Sequence, residues 1–192
     1  MNTRNLLTAS FLLIALLTEG VIALSLLTEG GTALFSRGER NAVTVLARGP
    51  AGLRIEGRGS QVSIEKDASA LTFKVPLAPL DTGIGLRDLQ FREMLEAGKY
   101  PDAVLRVSRA ALTFPRDRQP AEGTVDGDLT LHGTTRAVTF TLTAERKGSQ
   151  IEVSGDIAVL FSDYGIANPS FSGFVTTQDH GLLEFLLIFN RT

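Results

Sequence analysis

The sequence has no cysteine, no tryptophan and only two histidines. The absence of cysteine excludes thiol catalysis, iron–sulfur clusters, thiolate zinc sites and acylation of a leader cysteine. Two histidines leave little material for a histidine-ligated metal centre. The aromatic residues are 11 Phe and two Tyr, so the aromatic mass comes almost without polar atoms. This composition favours binding over catalysis.

An excess of charge of one sign is also lacking, because 19 basic residues stand against 21 acidic ones. A chain so close to neutral has no basic field with which to attract a nucleic acid, and we expect no such partner. Its 192 residues suit one domain with a leader, and they suffice to bury a core without disulfides or metals.

Residues 1–30 have the pattern of a signal peptide or an N-terminal membrane segment. Arg4 precedes the apolar run Leu6–Leu17, which is the order of the basic and hydrophobic regions of a secretory signal. In the alternative, an uncleaved anchor, Glu19 would cost about 2.5–3.5 kcal/mol at the centre of a bilayer helix. We expect a cleaved signal and a periplasmic or secreted domain over residues 36–192, with membrane contact only through an uncleaved leader.

From Arg40 onward, short runs of alternating apolar and polar residues are separated by Gly, Pro and Asp. A period of two is typical of strands that bury one face, so the body is predicted to be an antiparallel β sandwich or barrel. The runs lie at residues 42–47, 61–66, 71–75, 105–108, 125–131, 138–143 and 151–159.

One segment, Leu86–Ala97, has helical spacing instead. Phe91 and Met94 are three positions apart, with Leu95 beside them, and Gly98 is placed to end the helix. A single amphipathic helix among strands can cover one open end of a barrel.

The last strand, Leu182–Phe189, is apolar on both faces. Strands of this kind have both faces covered, so the outer face is expected to lie against a helix, a partner chain or lipid.

Few residues indicate catalysis. His132, followed by Gly133, is interpreted as the corner of a hairpin. The competing hypothesis is an enzyme that uses His132 with Asp126 or Asp128, although two aspartates on one strand are typical of a solvated face. We predict no catalytic and no metal-ligating residues.

Several segments resemble the YceI-like family of lipocalin-like, polyisoprenoid-binding proteins. Residues 127–136, GDLTLHGTTR, are similar to that family's hairpin motif G-x-L-T-L-H-G-x-T. Residues 80–88 resemble its helix entry, residues 94–103 its helix exit, and residues 162–166 a later loop. This chain departs from the family pattern in two places. Phe161 and Tyr164 stand where the family usually has arginine and phenylalanine, and residues 41–56 lack the aromatic and histidine pattern of the family's first strands.

The resemblance implies an exported, antiparallel eight-stranded lipocalin-like β-barrel with one amphipathic helix near an open end. It also implies an elongated apolar cavity that binds an isoprenoid-tailed lipid, and no enzymatic activity. Such a barrel has an interior that is either packed or just wide enough for one ligand, and Phe side chains suit an apolar guest. The predicted ligand-binding residues are Phe73, Phe91, Met94, Leu95, Phe140, Phe161, Phe174 and Phe185.

The leading hypothesis is therefore a non-enzymatic carrier of a long apolar lipid, with no cofactor other than that lipid. The alternative is an exported interaction or adhesion module with a packed core. In that case Leu182–Phe189 would be an oligomer seam, and the protein would form a homodimer.

Overall fold

The computed structural model of the chain describes residues 35–37, 42–48, 54–109, 119–167, 170–171, 175–176 and 178–191. The leader lies outside these residues, so it stays a prediction. No helix in the part of the chain described above is both long and apolar enough to span a membrane. The elements in chain order are β1 (Phe35–Arg37), β2 (Ala42–Arg48), β3 (Arg54–Gly59), β4 (Ser63–Lys66), β5 (Ala70–Pro76), α1 (Gly85–Met94), β6 (Asp102–Ser108), β7 (Ala121–Leu131), β8 (Thr134–Lys147), β9 (Gln150–Val159), a 3-10 turn (Phe161–Tyr164), β10 (Ser170–Phe171), β11 (Val175–Thr176) and β12 (Gly181–Arg191).

The strands form one large antiparallel sheet in the order β3-β2-β12-β9-β8-β7-β6-β5-β4. The short β1 pairs with the end of β12, and β10 pairs with β11 in a separate hairpin. The last strand of the chain, β12, lies between β2 and β9 and so joins the first strands to the last. The prediction of a mainly β, lipocalin-like fold with one helix is confirmed, and the continuous order of the described strands runs through nine strands where eight were predicted.

The sheet curls until its two ends approach each other. Arg58 in the terminal strand β3 forms a bridge to Asp81, which follows β5 near the other end of the order. The Arg58 N–H donates to the Asp81 carbonyl at 2.8 Å, and the Asp81 N–H donates back at 2.9 Å. This bridge carries the α1 segment, which begins soon after Asp81, across one end of the curled sheet.

On strands such as β7 the inner face is apolar and the outer face polar, as the alternating pattern predicted. In β7, Val125 and Leu129 are 3% and 2% exposed, whereas the intervening Asp126 and Asp128 lie at the surface. Val45 of β2 belongs to the same apolar cluster as these two residues, although β2 and β7 are not neighbours in the sheet. A single core therefore lies inside the curl.

Helix α1 begins with a well-fixed amino-terminal turn. The Asp88 carboxylate accepts hydrogen bonds from the Thr82 hydroxyl at 2.6 Å and from the Thr82 N–H at 2.7 Å. Both bonds hold the pKa of Asp88 below its ordinary value. Phe91 and Leu95 face the core and are 1% and 2% exposed, whereas Leu89 is 52% exposed on the outer side. The helix thus covers one end of the core.

The helix ends earlier than the sequence predicted. Glu96 adopts a left-handed conformation with φ 44°, its N–H donates to Glu93 at 3.0 Å, and the Ala97 N–H donates to Arg92 at 2.9 Å. This pair of bonds is a Schellman motif, whose left-handed position usually holds glycine. The prediction that Gly98 ends the helix is wrong, because Glu96 takes that position two residues earlier.

Strand β12 buries side chains on both faces. Leu183 and Leu187 on the inner face are 9% and 5% exposed. On the outer face Ile188 is 2% exposed, and Leu46 of the neighbouring β2 is 5% exposed on the same side. The outer face is therefore covered at these two positions within a single chain.

Candidate functional site

The predicted ligand-binding residues come together, with the exception of Phe174, which lies outside the described residues. Phe91, Leu95, Phe140 and Phe161 belong to the buried core cluster, and Phe73, Met94 and Phe185 pack against it while only partly buried. The four buried side chains act as packing. The three partly buried side chains keep some solvent-accessible surface.

Four further inner-face residues share this partial burial, namely Ala103, Leu105, Val138 and Val153. Leu105 pairs with Phe73 of β5 across the sheet, and Val153 pairs with Leu187 of β12, so all of these side chains point inward. Sequence reasoning missed them because it followed the aromatic residues, although the period-two pattern already placed Leu105 and Val138 on apolar strand faces. Together with Phe73, Met94 and Phe185 they form the inner wall of the candidate site.

Aromatic rings lie against glycine on this inner face. The rings of Phe140 and Phe185 are 6.1 Å apart and nearly perpendicular, at 83°. A Cβ placed on Gly155 would lie 2.7 Å from Cζ of Phe185, and one placed on Gly181 would lie 2.8 Å from Cζ of Phe161. Because Gly155 and Gly181 have no side chains, the rings of Phe185 and Phe161 lie close to the sheet backbone. The space further inside the curled sheet is left to other groups.

A polar contact fixes the 3-10 turn beside the core. The Asp179 carboxylate, just before β12, accepts hydrogen bonds from the Ser162 hydroxyl at 2.5 Å and from the Ser162 N–H at 2.9 Å. These bonds lower the pKa of Asp179. The turn in this way holds Phe161 over the inner face, where the ring is 1% exposed.

The interior offers few polar groups. Tyr164, in the 3-10 turn, is a core residue that carries a hydroxyl, and burial, followed by the charge of Asp163, raises its pKa. Among the described residues, no group of three or more His, Asp or Glu side chains is placed to hold a metal ion. The chemistry of the wall is therefore that of an apolar contact surface.

The residues of the enzyme hypothesis lie apart in the structure. His132 and Gly133 have φ of 51° and 73° and form the tight turn between β7 and β8, which confirms the hairpin interpretation. Asp126 is exposed on the outer face, where its carboxylate accepts a hydrogen bond from the Thr139 hydroxyl at 2.6 Å. The His132 ring instead contacts the Tyr164 carbonyl at 3.1 Å, and Asp128 is exposed on the same outer face as Asp126.

Solved structures with a similar fold include a polyisoprenoid binding domain from Saccharophagus degradans that is implicated in plant cell wall breakdown. It is 18% identical, with a TM-score of 0.68 over 83% of this chain and 99% of that chain. BcnA from Burkholderia cenocepacia is 19% identical, with a TM-score of 0.58 over 76% and 95% of the two chains. The YCEI protein of Campylobacter jejuni is 18% identical, with a TM-score of 0.53 over 72% and 85%. Identities this low show a common fold.

No curated protein matches the sequence. The model of the YceI-like domain matches residues 43–189, which is well over half of the chain and extends from β2 into β12. The resemblance carried by the hairpin motif and the helix-exit motif is thereby confirmed. This chain belongs to the YceI-like domain family.

Proposed function

We propose that this protein binds the hydrocarbon chain of an isoprenoid-type lipid inside the curled sheet and carries or sequesters it. The observation that supports the proposal is the partial burial of inward-facing apolar side chains such as Phe73, Val138 and Phe185. Residues that serve only as packing are expected to be covered, as Phe91 and Leu95 are. The similar fold of a protein described as a polyisoprenoid binding domain supports the same class of ligand.

Apolar contact alone is sufficient for such binding. Each CH₂ group removed from water contributes about 0.8 kcal/mol, so a long isoprenoid chain needs no polar recognition along its length. The inner wall consists of aliphatic side chains and Phe rings, which have no hydrogen-bonding groups to leave unsatisfied. The wall therefore favours ligands with long apolar chains and does not require a particular head group.

We also propose that the protein acts in the periplasm or outside the cell and catalyses no reaction. The leader pattern at residues 1–30 supports export, and thus action in the periplasm or outside the cell. The different partners of His132 and Asp126, which are the Tyr164 carbonyl and the Thr139 hydroxyl, support a binding role without a chemical step.

A pair of tryptophan variants tests where the ligand binds, because the natural chain contains no tryptophan. Val138 faces the core side of β8, and the adjacent Ala137 is exposed on the outer side. In Val138→Trp the indole occupies the inner wall, whereas Ala137→Trp places the same group outside as a matched control. Binding of a long-chain polyprenol is measured by co-purification, and folding by circular dichroism.

We expect the wild type and Ala137→Trp to bind the polyprenol, and Val138→Trp to bind it at least about tenfold more weakly while folded. Added polyprenol should leave the fluorescence of Ala137→Trp unchanged. A wild type that binds no polyprenol would overturn the proposed function. Equal binding by both variants would place the ligand elsewhere, and a stable, lipid-free dimer would favour the interaction module.

A further inference from the structure

Two residues in strained backbone conformations face each other at the helix-covered end of the sheet. His132, in the β7–β8 turn, has φ 51°, and Glu96, after α1, has φ 44°. Glycine adopts such conformations at no steric cost, whereas other residues are disfavoured there. The Nε2 atom of His132 lies 3.5 Å from Oε1 of Glu96. The two strained residues therefore place an imidazole beside a carboxylate, which glycine at either position would not provide.

The imidazole is held by three elements. Its Nδ1 lies 3.1 Å from the Tyr164 carbonyl in the 3-10 turn, and its ring meets Tyr100 edge-on with centroids 4.8 Å apart. The side chain is 14% exposed, and its Nε2 atom is buried without a hydrogen-bond partner among the described residues. His132 thus joins the hairpin, the helix exit and the 3-10 turn through a ring with one unsatisfied nitrogen.

The effect of the contact between His132 and Glu96 depends on how many protons the imidazole ring carries. A carbonyl only accepts hydrogen bonds, so the tautomer of the neutral ring that bonds to Tyr164 has its proton on Nδ1 and a lone pair on Nε2. In that form a lone pair and a carboxylate face each other. When Nε2 also binds a proton it becomes a donor and a positive charge beside Glu96, and imidazoles change charge between pH 5 and 8.

Two other cationic side chains lie near the pair. Lys99 lies 3.5 Å from the second oxygen of Glu96 and 4.7 Å from the centre of the Tyr100 ring, and contacts with Tyr100 and then Glu96 raise its pKa. On the other side Arg136 donates to the Asp163 carbonyl at 3.1 Å. Among the side-chain types that meet here, imidazole is the one whose ordinary charge change falls within this pH range.

We propose that His132 and Glu96 form a pH-sensitive latch that fastens the helix exit to the β7–β8 turn in mild acid and loosens it above neutral pH. Helix α1 covers the core through Phe91 and Leu95, so a loosened latch lets this end of the sheet open. Slower exchange of a lipid in acid would follow, and that consequence alone rests on the proposed function. The latch itself is testable on the full chain without any lipid.

The test is amide hydrogen exchange at pH 5.5 and 7.5, expressed as protection factors corrected for intrinsic rates. The reporter is the Ala97 N–H, which donates to the Arg92 carbonyl in the Schellman motif that ends α1. In the wild type we expect protection about two- to fivefold higher at pH 5.5, which is the range of a partly exposed ion pair. Glu96→Gln and His132→Asn should both abolish the difference, and asparagine tolerates the left-handed conformation.

His180 provides the matched control, since it is the other histidine of the chain and is exposed. His180→Asn should keep the full pH difference. The double variant of His132 and Glu96 should show no loss beyond that of either single variant. A pH difference that persists in His132→Asn or Glu96→Gln, one that disappears in His180→Asn, or higher protection at pH 7.5 would overturn the latch.

Discussion

The ring of Phe185 lies on the place that a side chain at Gly155 would occupy. A Cβ on Gly155 would be 2.7 Å from Cζ of Phe185 and 2.6 Å from the backbone oxygen of Thr141. The ring therefore lies close against β9 while packing edge-on against Phe140. Because the Phe185 ring lies against the strand backbone, it leaves the space further inside the curled sheet to other groups.

Gly155→Ala should destabilise the protein by about 1–3 kcal/mol, because neither the strand backbone nor the ring can move away freely. Gly123→Ala is the control, since a Cβ there meets nothing within 4 Å. Urea unfolding of both variants measures the difference. Equal stabilities would mean that Phe185 does not rest on Gly155.

The two sides of helix α1 should respond differently to truncation. Leu95→Ala removes a side chain that is 2% exposed and should cost about 2–5 kcal/mol, whereas Leu89→Ala at 52% exposure should change stability by less than about 0.5 kcal/mol. Thermal and urea unfolding provide the comparison. A large cost at Leu89 would show that the outer side of the helix is covered.

Acid should weaken the attachment of the 3-10 turn. Hydrogen bonds from Ser162 lower the pKa of Asp179 in the folded protein, so the unfolded chain takes up a proton first as the pH falls. The stabilisation is complete above the ordinary carboxyl pKa of about 3.9 and is lost as the pH drops below it. Asp179→Asn should accordingly lose less stability than the wild type between pH 5 and pH 3, as measured by urea midpoints. An identical loss in the variant would contradict the assignment.

The tight turn between β7 and β8 should not accept a side chain at its second position. Gly133 has φ 73°, and a Cβ there would collide with the ring of Tyr100. Gly133→Ala should lower the unfolding midpoint, while Gly98→Ala, where a Cβ meets nothing within 4 Å and φ is not positive, should not. Similar midpoints for the two variants would contradict the packing of Tyr100 on the turn.

The spacing of apolar residues predicted the strands and the helix, because an element that buries one face has apolar residues at regular intervals. Val138 and Phe140 show this in β8, where alternation alone indicated a strand. Alternation does not tell which strands are neighbours, and the placement of β12 between β2 and β9 depends on contacts far apart in the chain. The end of the helix was missed because Glu96, a residue that favours helix interiors, takes a position typical of glycine.

Part of the candidate site was predicted from composition and from the alternating strand pattern. Composition drew attention to Phe, and Phe73 and Phe185 are indeed on the inner wall. Phe91 and Phe161 are buried packing, a distinction that depends on how closely neighbours approach and leaves no mark in the sequence. Alternation placed Leu105 and Val153 on apolar strand faces, but only the strand register shows that these faces line the same interior as Phe73 and Phe185.

The most direct measurement is mass spectrometry of the organic extract of natively purified protein, followed by addition of a polyprenol to the delipidated sample. We expect an isoprenoid-tailed lipid in the extract of the wild type, rebinding after removal, and neither result for Val138→Trp. A wild type that carries no lipid and does not take up the added polyprenol would contradict the binding role assigned to the inner wall.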